Sequence, residues 1–363
     1  MTNNPSRRQV AKSDPSVILW LLNSDPSIRW QVLRDLTDAS VEEVNSERAR
    51  VATEGIGAQL LASQGADGKW GGAAWNRGWN STMHALILLR EFGLDPASDQ
   101  AQRAAELVRD RVTWKGCGPA ECDNNHFFEG EIEPCINGQV AAVGSYFGQD
   151  VRSIIDRLLG EQLPDGGWNC EAEYGSTRSS FNTTICVLEA LLEHELNAGR
   201  SSEITAARLR GQEYLLERGL FRRKSTGEVI QYDKKMGPII TSESEQNEAP
   251  SDSSSLDRKN GAVVGISHGA FTRFAFPTWW HYDVLRGLEY LRRAGVSDER
   301  VTDAIESVES KRGSDNRWLV EIRYPGEMPV ELNEPVGHPS RWNTLRALRV
   351  LDWYSAISPN IIS

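Results

Sequence analysis

EQLPDGGWNCEAEYGSTRSSFNTTICVLEALLEHE, residues 161–195, sets a Pro-Asp-Gly-Gly turn and Trp168 between two helical patterns. The segment before the turn is polar and ends a helix. The segment from Phe181 onward is apolar around most of its circumference, as in a helix buried on several sides. A glycine in the turn adopts the left-handed conformation that stops a helix and lets the chain reverse inward. Trp168 is then placed to pack across the junction between the two elements. The same device occurs in SQGADGKWGG (63–72), with Trp70, and in weaker form in SDNRW (314–318).

Six segments share the features of the apolar helix: 27–36, 77–93, 133–148, 179–194, 277–295 and 339–354. Their equivalent positions, 31, 80, 137, 182, 281 and 343, lie 49, 57, 45, 99 and 62 residues apart. Between them run polar, amphipathic segments at 41–65, 98–112, 149–163, 201–221 and 297–313, with 15–23 as a sixth. The long gap contains residues 224–270, rich in Ser, Glu, Asp and Gly; such a composition buries too little apolar surface to offset its ordering entropy. It is expected to be a disordered insertion in one domain spanning 1–363. Alternating buried and exposed helices at this period give a solenoid or a closed ring. RWQVLRDL and RWNTLRALRVL, near copies from opposite ends of the chain, favour closure. The expected fold is all-α, an (α/α)6 toroid of six inner and six outer helices.

The chain of 363 residues is 39% hydrophobic, and its formal net charge of -11 argues against nonspecific binding to nucleic acid or an anionic membrane. No stretch approaches the ~20 apolar residues of a spanning helix, and the N-terminus has no apolar run of signal-peptide length. A cytoplasmic location is expected. The five cysteines, 117, 122, 135, 170 and 186, have no regular spacing, so free thiols are expected rather than a disulfide framework. Cys117 and Cys122 have the spacing of half a metal site, but no second close pair completes it. Phosphate-cradling loops, dinucleotide fingerprints and nucleophile elbows are absent from the sequence.

With Gln64–Gly68–Trp70 and Gln162–Gly166–Trp168, the chain resembles the squalene-hopene cyclases and protein prenyltransferase β subunits over residues 15–355, the insertion apart. More closely, it resembles bacterial squalene-cyclase-like proteins. The resemblance implies a toroid with its active site in the central cavity, near the inner-helix N-termini. It also implies an isoprenoid substrate. Squalene cyclases use a protonated aspartate in an Asp-x-Asp-Asp type motif, which this sequence lacks. Protein prenyltransferases work with a second, α subunit and hold zinc by an Asp-x-Cys and a later His. Here Glu133-Pro134-Cys135 stands at the first half and Asn182 at the position of the histidine; His281 and Asp283 are possible substitutes. The implied metal set is therefore Cys135, Glu133, His281 and Asp283.

His126, Glu129, Glu131 and Glu133 cluster before one inner helix, where acids serve as caps and dipole partners. Their functional reading is a general acid, or a magnesium–diphosphate contact. Phe181, Phe276, Trp279, Trp280 and Tyr282 form core packing between repeats or, alternatively, aromatic walls for a cation. The first expectation is a terpene-cyclase-like enzyme. Glu131, Glu133 and Asp283 would be its acids and His281 its proton relay, with Phe181, Asn182, Trp279, Trp280 and Tyr282 against the substrate. The alternatives are a zinc-dependent transferase built on Cys135 and a non-catalytic binding or scaffold protein. Zinc and magnesium are the candidate cofactors, and the expected partner is a hydrophobic isoprenoid.

Overall fold

The computed structural model describes residues 14–230 and 270–357; most of the 224–270 segment lies outside the described residues. The described chain is mostly helical. Its α-helices are α1 (Pro15–Leu22), α2 (Pro26–Leu36), α3 (Val41–Ala49), α4 (Gly55–Ala62), α5 (Thr82–Glu91), α6 (Asp99–Arg111) and α7 (Pro134–Tyr146). They continue as α8 (Arg152–Gly160), α9 (Phe181–Asn197), α10 (Ser202–Leu216), α11 (Val284–Arg293), α12 (Thr302–Glu309) and α13 (Arg341–Ile357). The one sheet among the described residues is a two-residue antiparallel pair, β1 (Trp318–Leu319) with β2 (Pro339–Ser340). No helix of the described residues is long and apolar enough to cross a membrane.

Burial separates two kinds of helix. All residues from Thr82 to Arg90 of α5, and from Pro134 to Ser145 of α7, are buried. In α6 and α8 only one stripe is, for example Ile154, Ile155 and Leu158 of α8. The buried helices touch in sequence: α5 packs on α7, α7 on α9, α9 on α11, α11 on α13, and α13 on α2. Side chains join α2 to the end of α5, where Trp30 Nε1 donates to the Phe92 carbonyl (2.8 Å) and Gln31 Nε2 to that of Glu91 (3.0 Å). These bonds satisfy carbonyls that a helix end leaves without partners. The two ends of the described chain also meet. Asn316 donates to Asp14 (2.9 Å), and Trp20 is flanked by the guanidinium groups of Arg317 and Arg341, 4.1 and 4.7 Å from its ring.

The turn device repeats to the atom. Trp70, Trp168 and Trp318 are fully buried, and each indole N–H donates to a carbonyl ten residues upstream: Leu60 (2.7 Å), Leu158 (2.6 Å) and Val308 (2.7 Å). Each Trp backbone N–H donates to a threonine hydroxyl at the start of the next buried helix, Thr82, Thr184 or Thr344. Gln162 Nε2 closes the turn on Gly166 O (2.7 Å) and bonds Ala207 O of α10 (2.8 Å); Gln64 does the same with Gly68 and Ala104 of α6. Gly166 sits at φ +97°, and a Cβ there would lie 2.6 Å from the Arg210 carbonyl, so only glycine fits. The turns at Trp70 and Trp168 thus clamp the polar helix that follows the next buried one, α6 and α10.

Two helical segments differ from expectation. Residues 41–65 do not form one helix, because Asp25 stands at the break. Its carboxylate caps α2 through Ser27 N–H (2.9 Å) and also accepts from Ile56 N–H (2.8 Å) at the start of α4, beside Gly55 at φ +64°. Residues 277–283 are likewise not helical. Asp283 is the N-cap of α11, accepting from Arg286 N–H (2.7 Å), and Trp279 before it has φ +53°.

Candidate functional site

Glu133 is the N-cap residue of α7, Pro134 follows in the first turn, where its missing N–H costs no hydrogen bond, and Cys135 comes next, 8% exposed. The approach to the helix is locked by Glu131 and Asn137. Glu131 N–H donates to Asn137 Oδ1 (2.9 Å), and Asn137 Nδ2 donates back to the Glu131 carbonyl (2.7 Å). The Glu131 carboxylate accepts from Glu133 N–H (2.6 Å), so Glu131 orders the backbone of its neighbour.

Cys170 arrives from the turn that follows Trp168. Thr183, in the first turn of α9, has its hydroxyl 3.4 Å from both the backbone nitrogen and the Sγ of Cys170. The outcome is a three-donor cluster: a Glu133 carboxylate oxygen, Cys135 Sγ and Cys170 Sγ all lie within 4.8 Å of one another. Glu133 is exposed and Cys170 half-buried, so the cluster opens to solvent. Cys135 donates toward Glu133 Oε2 (3.7 Å). A hydrogen bond with Cys170, then burial, push the Cys135 thiol well above its ordinary range. Two sulfurs and one carboxylate are the donor set of a zinc site with three protein ligands and one open position. They do not suit magnesium, which prefers oxygen.

Of the implied metal set of Cys135, Glu133, His281 and Asp283, the last two are not members of this cluster. Asp283 is fully occupied as a helix cap, and its carboxylate also lies 3.8 Å from Arg346. Burial raises its pKa. His281 is stacked between Trp280 and Tyr324, at centroid distances of 3.8 and 3.5 Å, with Nδ1 3.2 Å from the Thr278 carbonyl. Burial pushes its pKa well below the usual value, so the ring is neutral. The place at the cluster is taken by Cys170, which sequence reading passed over. The available signal was its position two residues after Trp168, inside the turn device.

The aromatic residues do come together, but mainly against one another. Phe181 meets Tyr214, Phe271 and Tyr282 at 5.0–5.4 Å. Asn182 Oδ1 accepts from Tyr282 N–H (2.8 Å), which ties α9 to the segment before α11. Trp279 stacks on Trp79 at 5.6 Å with a 3° interplanar angle, and His84 sits edge-on to both. Trp79 and Trp279 both have positive φ, a conformation held only where the surroundings enforce it. Trp79, His84 and Tyr324 were not singled out in the sequence as members of this group. Glu131 is buried, and desolvation, partly offset by the N–H groups of Ile132 and Glu133, raises its pKa to about 7.

Below the aromatic segment the buried helices carry an ion-pair network that periodicity did not foretell. Arg286 makes two 2.8 Å bonds to Glu189 and donates to the carbonyls of Trp279 and His281. Glu193 takes bonds from Arg90 (2.9 Å) and Arg293 (2.7 Å). Arg349 joins Glu289, Asp35 and Gln31. Of this network, Arg90, Arg286, Arg293, Glu189 and Glu289 line a cavity of about 70 Å³.

No protein-family model matches the chain, and no curated protein matches it. Among solved structures it is similar to the type II terpene cyclase MstE from Scytonema in its apo form. That match has 15% identity and a TM-score of 0.41, covering 98% of this chain and 91% of that one. A variant of the same cyclase in complex with geranylgeranyl dihydroxybenzoate matches with 15% identity and a TM-score of 0.39, covering 97% and 91%.

Proposed function

We propose that the chain is an (α/α)6 toroid with a mononuclear zinc site formed by Glu133, Cys135 and Cys170, and that it is a zinc-dependent transferase acting on an isoprenoid. The observation that carries this reading is the convergence of one carboxylate oxygen and two thiol sulfurs within 4.8 Å at an opening to solvent. The ring is supported by the packing of α13 on α2 and by Trp20 between Arg317 and Arg341. The isoprenoid class rests on the resemblance carried by the Gln-Gly-Trp turns.

Zinc held there supplies Lewis acidity and favours the deprotonated form of a thiol brought to it. The chain's own residues position the donors. Pro134 and the Glu131–Asn137 clamp fix the backbone that presents Glu133 and Cys135, and Thr183 fixes Cys170. Elemental analysis of the purified chain beside Cys135→Ala and Cys170→Ala tests the reading. It predicts about one zinc per chain, lost in both variants. Transfer is then sought with a polyprenyl diphosphate and a thiol acceptor.

A second reading, isoprenoid cyclisation started by protonation, is favoured by one observation. The buried Glu131 carboxyl has its pKa raised to about 7 and so is partly protonated near neutrality. Under that reading a metal-free chain consumes a polyprenyl substrate, and Glu131→Gln stops consumption.

A further inference from the structure

The cavity of about 70 Å³ lies among α5, α7, α9, α11 and α13 and the 276–279 segment. A water needs roughly 10–15 Å³ of such space, so the cavity holds about five water-sized groups. That excludes a long hydrocarbon chain from this space and admits a compact polar molecule.

Its wall holds four arginines, Arg90, Arg286, Arg293 and Arg346, against three glutamates. The two innermost glutamates are already engaged. Glu189 gives both oxygens to Arg286, and Glu289 gives one each to Arg292 and Arg349. The arginines are less fully used. Arg293 makes a single hydrogen bond among the described residues, to Glu193. Arg346 makes its hydrogen bonds through Nη1, toward the Ala275 carbonyl (3.0 Å) and Asn343 (3.3 Å), while Nη2 has only the Asp283 carboxylate at 3.8 Å. Gln139, 4% exposed in the same wall, has Oε1 without a partner among the described residues, while its Nε2 lies 3.5 Å from Cys186 Sγ. A half-turn of the amide would let Oε1 accept a hydrogen bond from the Cys186 thiol, in place of that thiol's 3.7 Å contact with the Trp280 carbonyl, and present Nε2 as one more donor. With the amide so turned, the wall offers donors in excess of acceptors. Arg293, with its side chain 34% exposed, and Glu91, 41% exposed, stand at the solvent side and mark the entrance.

We propose that this cavity is a binding site for a small oxyanion, a phosphate or short carboxylate group, held by Arg293, Arg346 and Gln139. Guanidinium groups match both in bidentate geometry. The site is separate from the Glu133–Cys135–Cys170 cluster and does not depend on the zinc reading.

Titration calorimetry and thermal melting of the full chain provide the test, with inorganic phosphate and malonate as separate probes against chloride at equal ionic strength. Saturable one-to-one binding is expected for at least one probe, with Kd below about 1 mM. Phosphate alone would assign a phosphoryl ligand, malonate alone a carboxylate, and both the shared chemistry. Arg293→Gln should weaken binding at least tenfold, as should Gln139→Leu, while Arg109→Gln on the outer surface leaves it unchanged. Two variants, one at the entrance and one in the inner wall, keep the test sound if one fails to fold. Absence of saturable binding for both probes, or an unchanged Kd in the folded variants, overturns the proposal.

Discussion

Glu133 and Cys135 at the start of α7, and His281 and Asp283 at the start of α11, carry the same kinds of metal-binding groups at equivalent places in the fold. At α7 the helix is capped without help from the Glu133 side chain, which leaves that carboxylate and two thiols facing one another. At α11 the Asp283 side chain is itself the cap, and His281 is held flat between Trp280 and Tyr324. The first corner has donors to spare and the second has used its own. What separates an available donor from a packed residue here is whether the backbone or a neighbouring ring has already claimed the side chain.

The comparison is broken most severely at Arg286. Its guanidinium neutralises half-buried Glu189 and ties the carbonyls of Trp279 and His281. Arg286→Ala leaves a half-buried charge and two carbonyls unpaired and should cost about 3 kcal/mol in urea unfolding. If the loss is under about 1 kcal/mol, the segment before α11 is held by something else. His281→Ala removes a ring stacked on both faces and should cost about 2–4 kcal/mol. Its zinc content should match that of the parent chain.

A third prediction concerns pH. Burial lowers the His84 pKa from 6.5 to about 3, so between those values the unfolded chain binds a proton that the folded chain refuses. Its contribution to stability is full above pH 6.5 and is lost as pH falls toward 3. By pH 5 the loss is about 2 kcal/mol. His84→Gln should flatten that part of the stability curve, and an unchanged slope would show that His84 is protonated in the fold. The smallest effect is expected at the other corner. Cys135→Ser in metal-free protein should change stability by no more than about 1 kcal/mol, since the side chain keeps its size and a hydrogen bond to Glu133.

The architecture was legible because the turn device has few solutions. Gly166 must be glycine, Trp168 must find a carbonyl for its indole, and Gln162 must clamp the next outer helix, so the residues announce the repeat. Glu133 and Cys135 were legible as a Glu-x-Cys at a helix start. Cys170 was not, because its approach to Cys135 depends on how the loop after Trp168 folds back onto Thr183. The ion-pair network was hidden for a related reason. Arg90, Glu193 and Arg293 lie on different helices, and charged residues on largely buried helices reveal their partners only after packing. The contacts of His281 and Asp283 were hidden too, because sequence shows a residue's chemistry but not the bonds that engage it.

Zinc stoichiometry tests the central claim most directly, measured on the parent chain and on Cys135→Ala, Cys170→Ala and His281→Ala purified without chelator. About one zinc per chain, lost in both cysteine variants and kept in His281→Ala, is the result predicted here. Zinc retained without Cys170, or lost with His281, would contradict it.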